Sequence, residues 1–140
     1  MSQKTFETLT ETFMERVWNQ LDTTVIDELV ADEHVSYGVG DPIEGKPGWY
    51  GFHAAFTAAF SDIQITVEDL VVSGDKEASR WTGTMVHRAS GTPVTLSGMI
   101  IIHIRDGQIL AGYNSVDFIP MLVTLNLMPG DAVEKALTPA

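Results

Sequence analysis

The chain has 140 residues, 44% hydrophobic and 19% charged, the composition of one globular domain over residues 1–140 with a real core. Eight basic residues against nineteen acidic ones leave a formal net charge of -11, which speaks against a nucleic-acid partner or an anionic membrane surface, since both need clustered Lys and Arg. No uninterrupted apolar run approaches the roughly 20 residues of a membrane span, and the absence of Cys excludes disulfides and thiolate metal sites.

The opening segment, MSQKTFETLTETF, lacks the apolar centre of a secretory signal, which predicts a cytoplasmic protein. Phe6, Leu9, Phe13, Val17 and Leu21 recur at helical spacing with Trp18 beside them, predicting an amphipathic helix over 5–21. Asp22-Thr23-Thr24 breaks that pattern and caps a short second helix over Val25–Ala31, with Ile26, Leu29 and Val30 inward. His34 precedes a short strand at 34–39 and reads as solvated. Residues 38–51 hold five glycines and two prolines, a composition for loop. A third helix runs from about Pro47 to Phe60, with Phe52, Phe56 and Phe60 four apart.

Beyond Ser61-Asp62 the pattern changes to strands, expected at 63–73, 77–88, 93–105 and 108–118, with turns at Gly74-Asp75-Lys76 and Ser90-Gly91-Thr92-Pro93. A last helical turn is expected in Ala132–Leu137. Three helices followed by a meandering, mostly antiparallel sheet is an α+β pattern.

The stretch from Val94 to Phe118 is the most informative. Arg105-Asp106-Gly107 between alternating apolar residues signals a hairpin. Each strand carries one ionisable residue in an apolar setting, His103 on the first and Asp117 on the second. Side chains alternate along a strand, so Met99, Ile101 and His103 share a face, as do Tyr113, Ser115 and Asp117. If the two faces coincide, a carboxylate and an imidazole look into one apolar space, where a general acid or base is expected. In the alternative, Asp117 caps the turn before Pro120 and His103 is a satisfied core histidine. On the opposite face Ile100, Ile102 and Ile104 form an apolar surface that needs a cover, and a second subunit is the economical one, predicting a homodimer.

Arg80 suits an anionic or carbonyl oxygen, or an ion pair with Asp or Glu. His53 lies one residue from the Phe52/Phe56 stripe and faces either a cavity or a helix contact. No HxH, HExxH or EF-hand spacing supports a metal, and no Gly-rich strand-to-helix loop supports a nucleotide. What remains is an apolar, aromatic-rich cavity built from Trp18, Tyr37, Trp49, Phe56 and Tyr113, suited to a hydrophobic small molecule.

Several segments resemble the SnoaL-like polyketide cyclases, a branch of the cone-shaped superfamily that includes nuclear transport factor 2 and ketosteroid isomerase. They are Phe52-His53-Ala54-Ala55-Phe56, Ala59-Phe60-Ser61-Asp62-Ile63, Val67-Glu68-Asp69-Leu70 with Gly74-Asp75, Arg80-Trp81-Thr82, and Asp106-Gly107-Gln108-Ile109 followed by Asp117, together covering about residues 45–118. The resemblance implies a curved sheet wrapped around N-terminal helices. It also implies that Asp117 is the acid/base, with His103 as its partner in aldol cyclases, and that no cofactor is needed. Met85-Val86-His87 stands where the family has Gly-Thr-His, and Tyr113 where it has Trp. The expectation is therefore an intramolecular aldol-type cyclase on a polyketide-like ester. The substrate would meet Trp18, Tyr37, Trp49, His53, Phe56, Arg80, Met99, Tyr113 and Ser115. An isomerase, an epoxide hydrolase-like enzyme and a non-catalytic binding protein are the alternatives.

Overall fold

The structure is a computed structural model that describes residues 8–139. Its first helix, α1 (Leu9–Phe13), begins where the sequence supplies acceptors for the amide hydrogens that a helix start leaves unpaired. Thr8 Oγ1 accepts from Glu11 N at 3.2 Å. The buried Glu77 carboxylate, reaching over from the sheet, accepts from Leu9 N at 3.3 Å and Thr10 N at 2.9 Å. A negative charge at a helix N-terminus is favourable, which accounts for a carboxylate this deep in the molecule.

The helix continues as a wider π-helical turn over Met14–Asn19, where one unbroken helix over 5–21 is predicted. Residues 5–7 of that span, Phe6 among them, lie outside the described residues. At the end of the wide turn the Asn19 side chain bonds both backbone groups of Ile65, accepting from its N at 2.6 Å and donating to its O at 2.9 Å. Asn19 thus pairs with the sheet as an extra strand residue would. Helix α2 (Thr24–Leu29) follows, introduced by Asp22 Oδ1, which accepts from Thr24 N at 3.1 Å.

The remaining elements are β1 (Val30–Tyr37), β2 (Ile43–Glu44), α3 (Gly45–Ala59), β3 (Phe60–Ser73), β4 (Lys76–His87), β5 (Thr92–Arg105), β6 (Gln108–Asp117), α4 (Ile119–Thr124) and α5 (Ala132–Leu137). The last four strands match their predicted spans within three residues, because a turn separates each from the next; β3 itself begins at Phe60, directly after α3, so that the predicted break at Ser61-Asp62 lies inside the strand. Strand β1 starts four residues earlier than expected. Helix α3 starts two residues before Pro47, at Gly45, whose φ of 63° favours glycine. The six strands form one sheet in the order β2-β1-β6-β5-β4-β3. All neighbours are antiparallel except β1 and β6, which run parallel because a long stretch of chain crosses between them. The architecture is α+β, a curved open sheet with helices packed on one face.

That helix-covered face holds the core. Trp81 lies across it in space left by glycine: a Cβ on Gly98 would stand 2.7 Å from Trp81 Cζ2, and one on Gly83 would stand 2.8 Å from Ile65 Cδ1.

The two faces are the reverse of the expectation. Ile102 is 3% exposed and Ile100 packs against the core, whereas Met99, Ile101 and Tyr113 are 60%, 45% and 47% exposed. Alternation tells which residues share a face but not which face meets the helices. Met99–Ile102 is apolar at every position, so no polar residue marks the outside. The isoleucine face therefore needs no second subunit to cover it. The open face is the other one, where Tyr37 stacks on Tyr113 at 5.4 Å beside Ile101 and Val71.

Candidate functional site

Between the inner face and helices α1 and α3 lies a cavity of about 110 Å³ with an almost wholly apolar wall. One side is aromatic. Trp18 meets Phe56 at 5.2 Å and Phe52 at 6.0 Å, and Trp49 meets Phe13 at 5.0 Å, all edge to face. Phe52 and Phe56 come from the predicted stripe on α3, four residues apart and so one turn above the other.

A few polar groups break this wall. His34 and Ser36 alternate inward on β1 and are 2% and 3% exposed. The indole N–H of Trp49 donates to His34 Nδ1 at 3.2 Å. Burial pushes the His34 imidazolium down to about 4, so the ring is neutral near pH 7. With Nδ1 accepting, the ring proton sits on Nε2. Beside it Asn114 Nδ2 donates to Ser36 Oγ at 3.0 Å and to Tyr37 O at 2.9 Å, which occupies both amide hydrogens and leaves Oδ1 as an acceptor. Gly112, on the same wall, gives the hydroxyl room: a Cβ there would lie 3.0 Å from Ser36 Oγ. Two further lining residues, Thr10 and Trp81, have buried polar atoms, Oγ1 and Nε1, with no partner among the described residues.

A SnoaL-like domain model matches residues 10–111, most of the chain. The chain belongs to the SnoaL-like family. No curated protein matches this SnoaL-like chain by sequence. Among solved structures it resembles IdmH of Streptomyces antibioticus, a proposed polyketide cyclase, at 25% identity and a TM-score of 0.72, over 84% of this chain and 96% of that one. It resembles AclR of Streptomyces galilaeus, a proposed hydroxylase, at 21% identity and a TM-score of 0.75, over 87% of this chain and all of the other. A protein of Catenulispora acidiphila with a ketosteroid isomerase-like fold, bound to trimethylamine, aligns at 16% identity and a TM-score of 0.76, over 96% of this chain and all of that one. The last two likenesses speak to the fold alone.

In this SnoaL-like protein Trp18, Trp49 and Phe56 line the cavity. His53 is buried behind it, with Nε2 3.0 Å from Val17 O and its ring 5.0 Å from Trp18, a helix-to-helix contact. Tyr37, Arg80, Met99, Tyr113 and Ser115 belong instead to the outer face, where Arg80 Nε pairs with Asp69 at 2.8 Å. These five assignments are corrected by the face reversal described above.

Asp117 and His103 are not brought together. Their strand faces do coincide, with Met99 opposite Ser115 and Ile101 opposite Tyr113. That shared face, however, is the outer one. In the antiparallel register His103 pairs with Ala111 near the turn, and Asp117 pairs with Ser97 at the far end. Six residues of strand separate them, on the order of 20 Å. Hairpin arithmetic already contained this, since residues equidistant from the turn pair with each other. Asp117 is exposed and accepts from Ile119 N at 3.1 Å, the turn-capping alternative, while the His103 ring lies 5.2 Å from Tyr113.

Sequence reasoning missed His34, Ser36 and Asn114. The signal existed: His34, Ser36 and the exposed Tyr37 alternate once the strand is begun before His34 rather than at it. Among the described residues no group of three or more His, Asp or Glu is placed to hold a metal ion. No helix among the described residues is long and apolar enough to cross a membrane.

Proposed function

We propose that this SnoaL-like protein is a polyketide cyclase-type enzyme that closes a ring on a hydrophobic, multiply carbonylated chain held in the cavity. The observation that carries the proposal is the cavity itself, an aromatic wall into which His34, Ser36 and Asn114 converge. In an aldol-type closure an enol carbon bonds to a carbonyl carbon. The proton lost from the first carbon is balanced by one gained at the new hydroxyl, with no change of oxidation state. A carbon flanked by two carbonyls is already acidic, so neither metal nor organic cofactor is required. Donors aimed at the developing oxygen charge supply the catalysis.

A second reading, a binding protein for hydrophobic small molecules, is favoured by one fact: no carboxylate among the described residues lines the cavity. Incubation with a synthetic linear poly-β-carbonyl ester separates the two. Wild type should convert it to a cyclic isomer of equal or water-depleted mass, seen by chromatography and NMR, faster than buffer does. Asp117→Asn should retain turnover within about twofold. A fall of 100-fold or more, the scale of a lost general base, would return the chemistry to that carboxylate. Binding without conversion would establish the second reading.

We also propose that the open outer face is the contact of a homodimer, supported by Tyr37, Val71, Met99, Ile101 and Tyr113 standing exposed across the sheet. Apolar surface of this extent on one face usually marks an interaction site.

A further inference from the structure

We propose that His34 is a catalytic hydrogen-bond donor whose Nε2–H binds a ketone or enolate oxygen, and that Trp49 is the positioning residue that holds its tautomer. This rests on the cyclase reading and names the group that touches the reacting oxygen.

The geometry restricts His34 in three ways. An indole nitrogen has a hydrogen to give and no lone pair to offer, so the 3.2 Å contact from Trp49 uses the Nδ1 lone pair of His34. A neutral ring so engaged carries its proton on Nε2. Acting as a base at Nε2 would require moving that proton to Nδ1, which breaks the Trp49 bond and sets two N–H groups against each other. Nε2 makes no hydrogen bond among the described residues and is not among the sealed polar atoms, and the residue lines the cavity. A donor in an apolar space selects an oxygen acceptor.

The surroundings support a neutral donor rather than a cation. Among the described residues no acidic side chain lines the cavity, and the desolvating wall opposes an imidazolium. A neutral N–H still stabilises an enolate oxygen, and more strongly here than in water, because the site is dry and the donor is already in place. The neighbouring Asn114 Oδ1 is an acceptor, so a cationic or purely anionic ligand gains from only part of the set, whereas a neutral enolisable ketone can use both. Trp49 also forms part of the aromatic wall, so tautomer control and ligand packing meet in one side chain.

Two measurements test this on the full chain. With histidine labelled by ¹⁵N, ring correlations report which nitrogen holds the proton. Wild type should show Nε2–H for His34 across the neutral range, and Trp49→Phe should show a tautomer mixture. Nδ1–H in wild type would overturn the proposal. The second measurement uses acetophenone and α-methylstyrene, which share a shape and differ in C=O against C=CH₂. Their affinity ratio in wild type should favour the ketone by about five- to tenfold more than in His34→Phe, the size of one hydrogen bond. Carbonyl-labelled acetophenone should show a lowered C=O stretch only in wild type. An unchanged ratio and stretch in a folded His34→Phe would overturn the donor role. Should that variant fail to fold, the nitrogen spectra of wild type and Trp49→Phe still decide the matter. A wild type that discriminates the ketone yet converts no poly-carbonyl ester supports the donor and overturns the cyclase reading.

Discussion

The two faces of β5 and β6 carry similar residues and meet different fates. Ile100 and Ile102 face inward and are covered by helices, while Met99 and Ile101, one residue away on the same strand, stand exposed. Nothing in side-chain chemistry separates Ile101 from Ile102. The difference lies in what else shares each face. The inner one has Gly98 and Gly112, which open space for Trp81 and Ser36, and the aromatic rings of α3 opposite. The outer one has Arg80 with Asp69 and the Tyr37–Tyr113 stack. Apolar character marks a strand as buried somewhere; small residues and their large neighbours decide where.

The sharpest way to break this comparison is the pair Ile102→Glu and Ile101→Glu. An unpaired carboxylate at the buried position should cost roughly 3–5 kcal/mol, much of the stability of an ordinary domain, and leave soluble protein scarce. At 101 the same change should leave the fold intact in thermal melts and convert a dimer to a monomer in sedimentation. Wild type that sediments as a monomer at micromolar concentration would sink the proposed subunit contact.

Next in size is the pH dependence of stability. His34 drops from its usual 6.5 to about 4 on folding, so the unfolded chain takes up a proton that the folded chain resists. The stabilisation is complete above about pH 6.5 and is lost as pH falls toward 4. The difference is on the order of 3 kcal/mol. Denaturant melts across that window should show it, and His34→Phe should flatten the slope. A wild-type slope unchanged by the substitution would place the titration elsewhere.

Gly98→Ala comes third. Its new Cβ would stand 2.7 Å from the Trp81 ring and 2.9 Å from Ser115 O, and overpacking of this kind costs about 1–3 kcal/mol. Gly107→Ala is the control, with nothing within 4 Å but a φ of 75°. Its cost should come from backbone conformation alone and leave cavity ligands unaffected, whereas Gly98→Ala should weaken them. The smallest effect is expected from Ser79→Ala. Ser79 Oγ is buried on the inner side with no partner among the described residues, so its removal should be neutral or stabilise by up to about 1 kcal/mol in a urea melt. A clear loss would reveal a partner for that hydroxyl.

Much of the fold was legible because its signals are local. The Asp106-Gly107 turn, the Gly74-Asp75 turn and the phenylalanine stripe on α3 each depend on residues within a few positions of one another. Of the aromatic cavity wall, Phe56 was legible for the same reason, since it belongs to the α3 stripe, whereas Trp18 and Trp49 were named for their aromatic character and only the packing sets them beside it. Asp117 and His103 were misplaced for two reasons: which face the helices cover is a global property, and pairing about the Asp106-Gly107 turn sets the two residues six positions apart along the strands. His34 was missed because a strand start without a turn residue is indistinct, and a shift of where a strand begins changes which residues count as inward.

Alternation and turn residues in the sequence alone determined the α+β order and the four long strands. These are short-range consequences of backbone geometry. The tertiary structure decided which sheet face the helices cover, that β1 joins β6 in parallel, and that His34, Trp49, Ser36 and Asn114 meet. Residues 34 and 114 are far apart along the chain, and only the closing of the sheet brings them to one wall. No local interaction specifies that approach; it follows from burying one complete apolar face against the helices and leaving the other open.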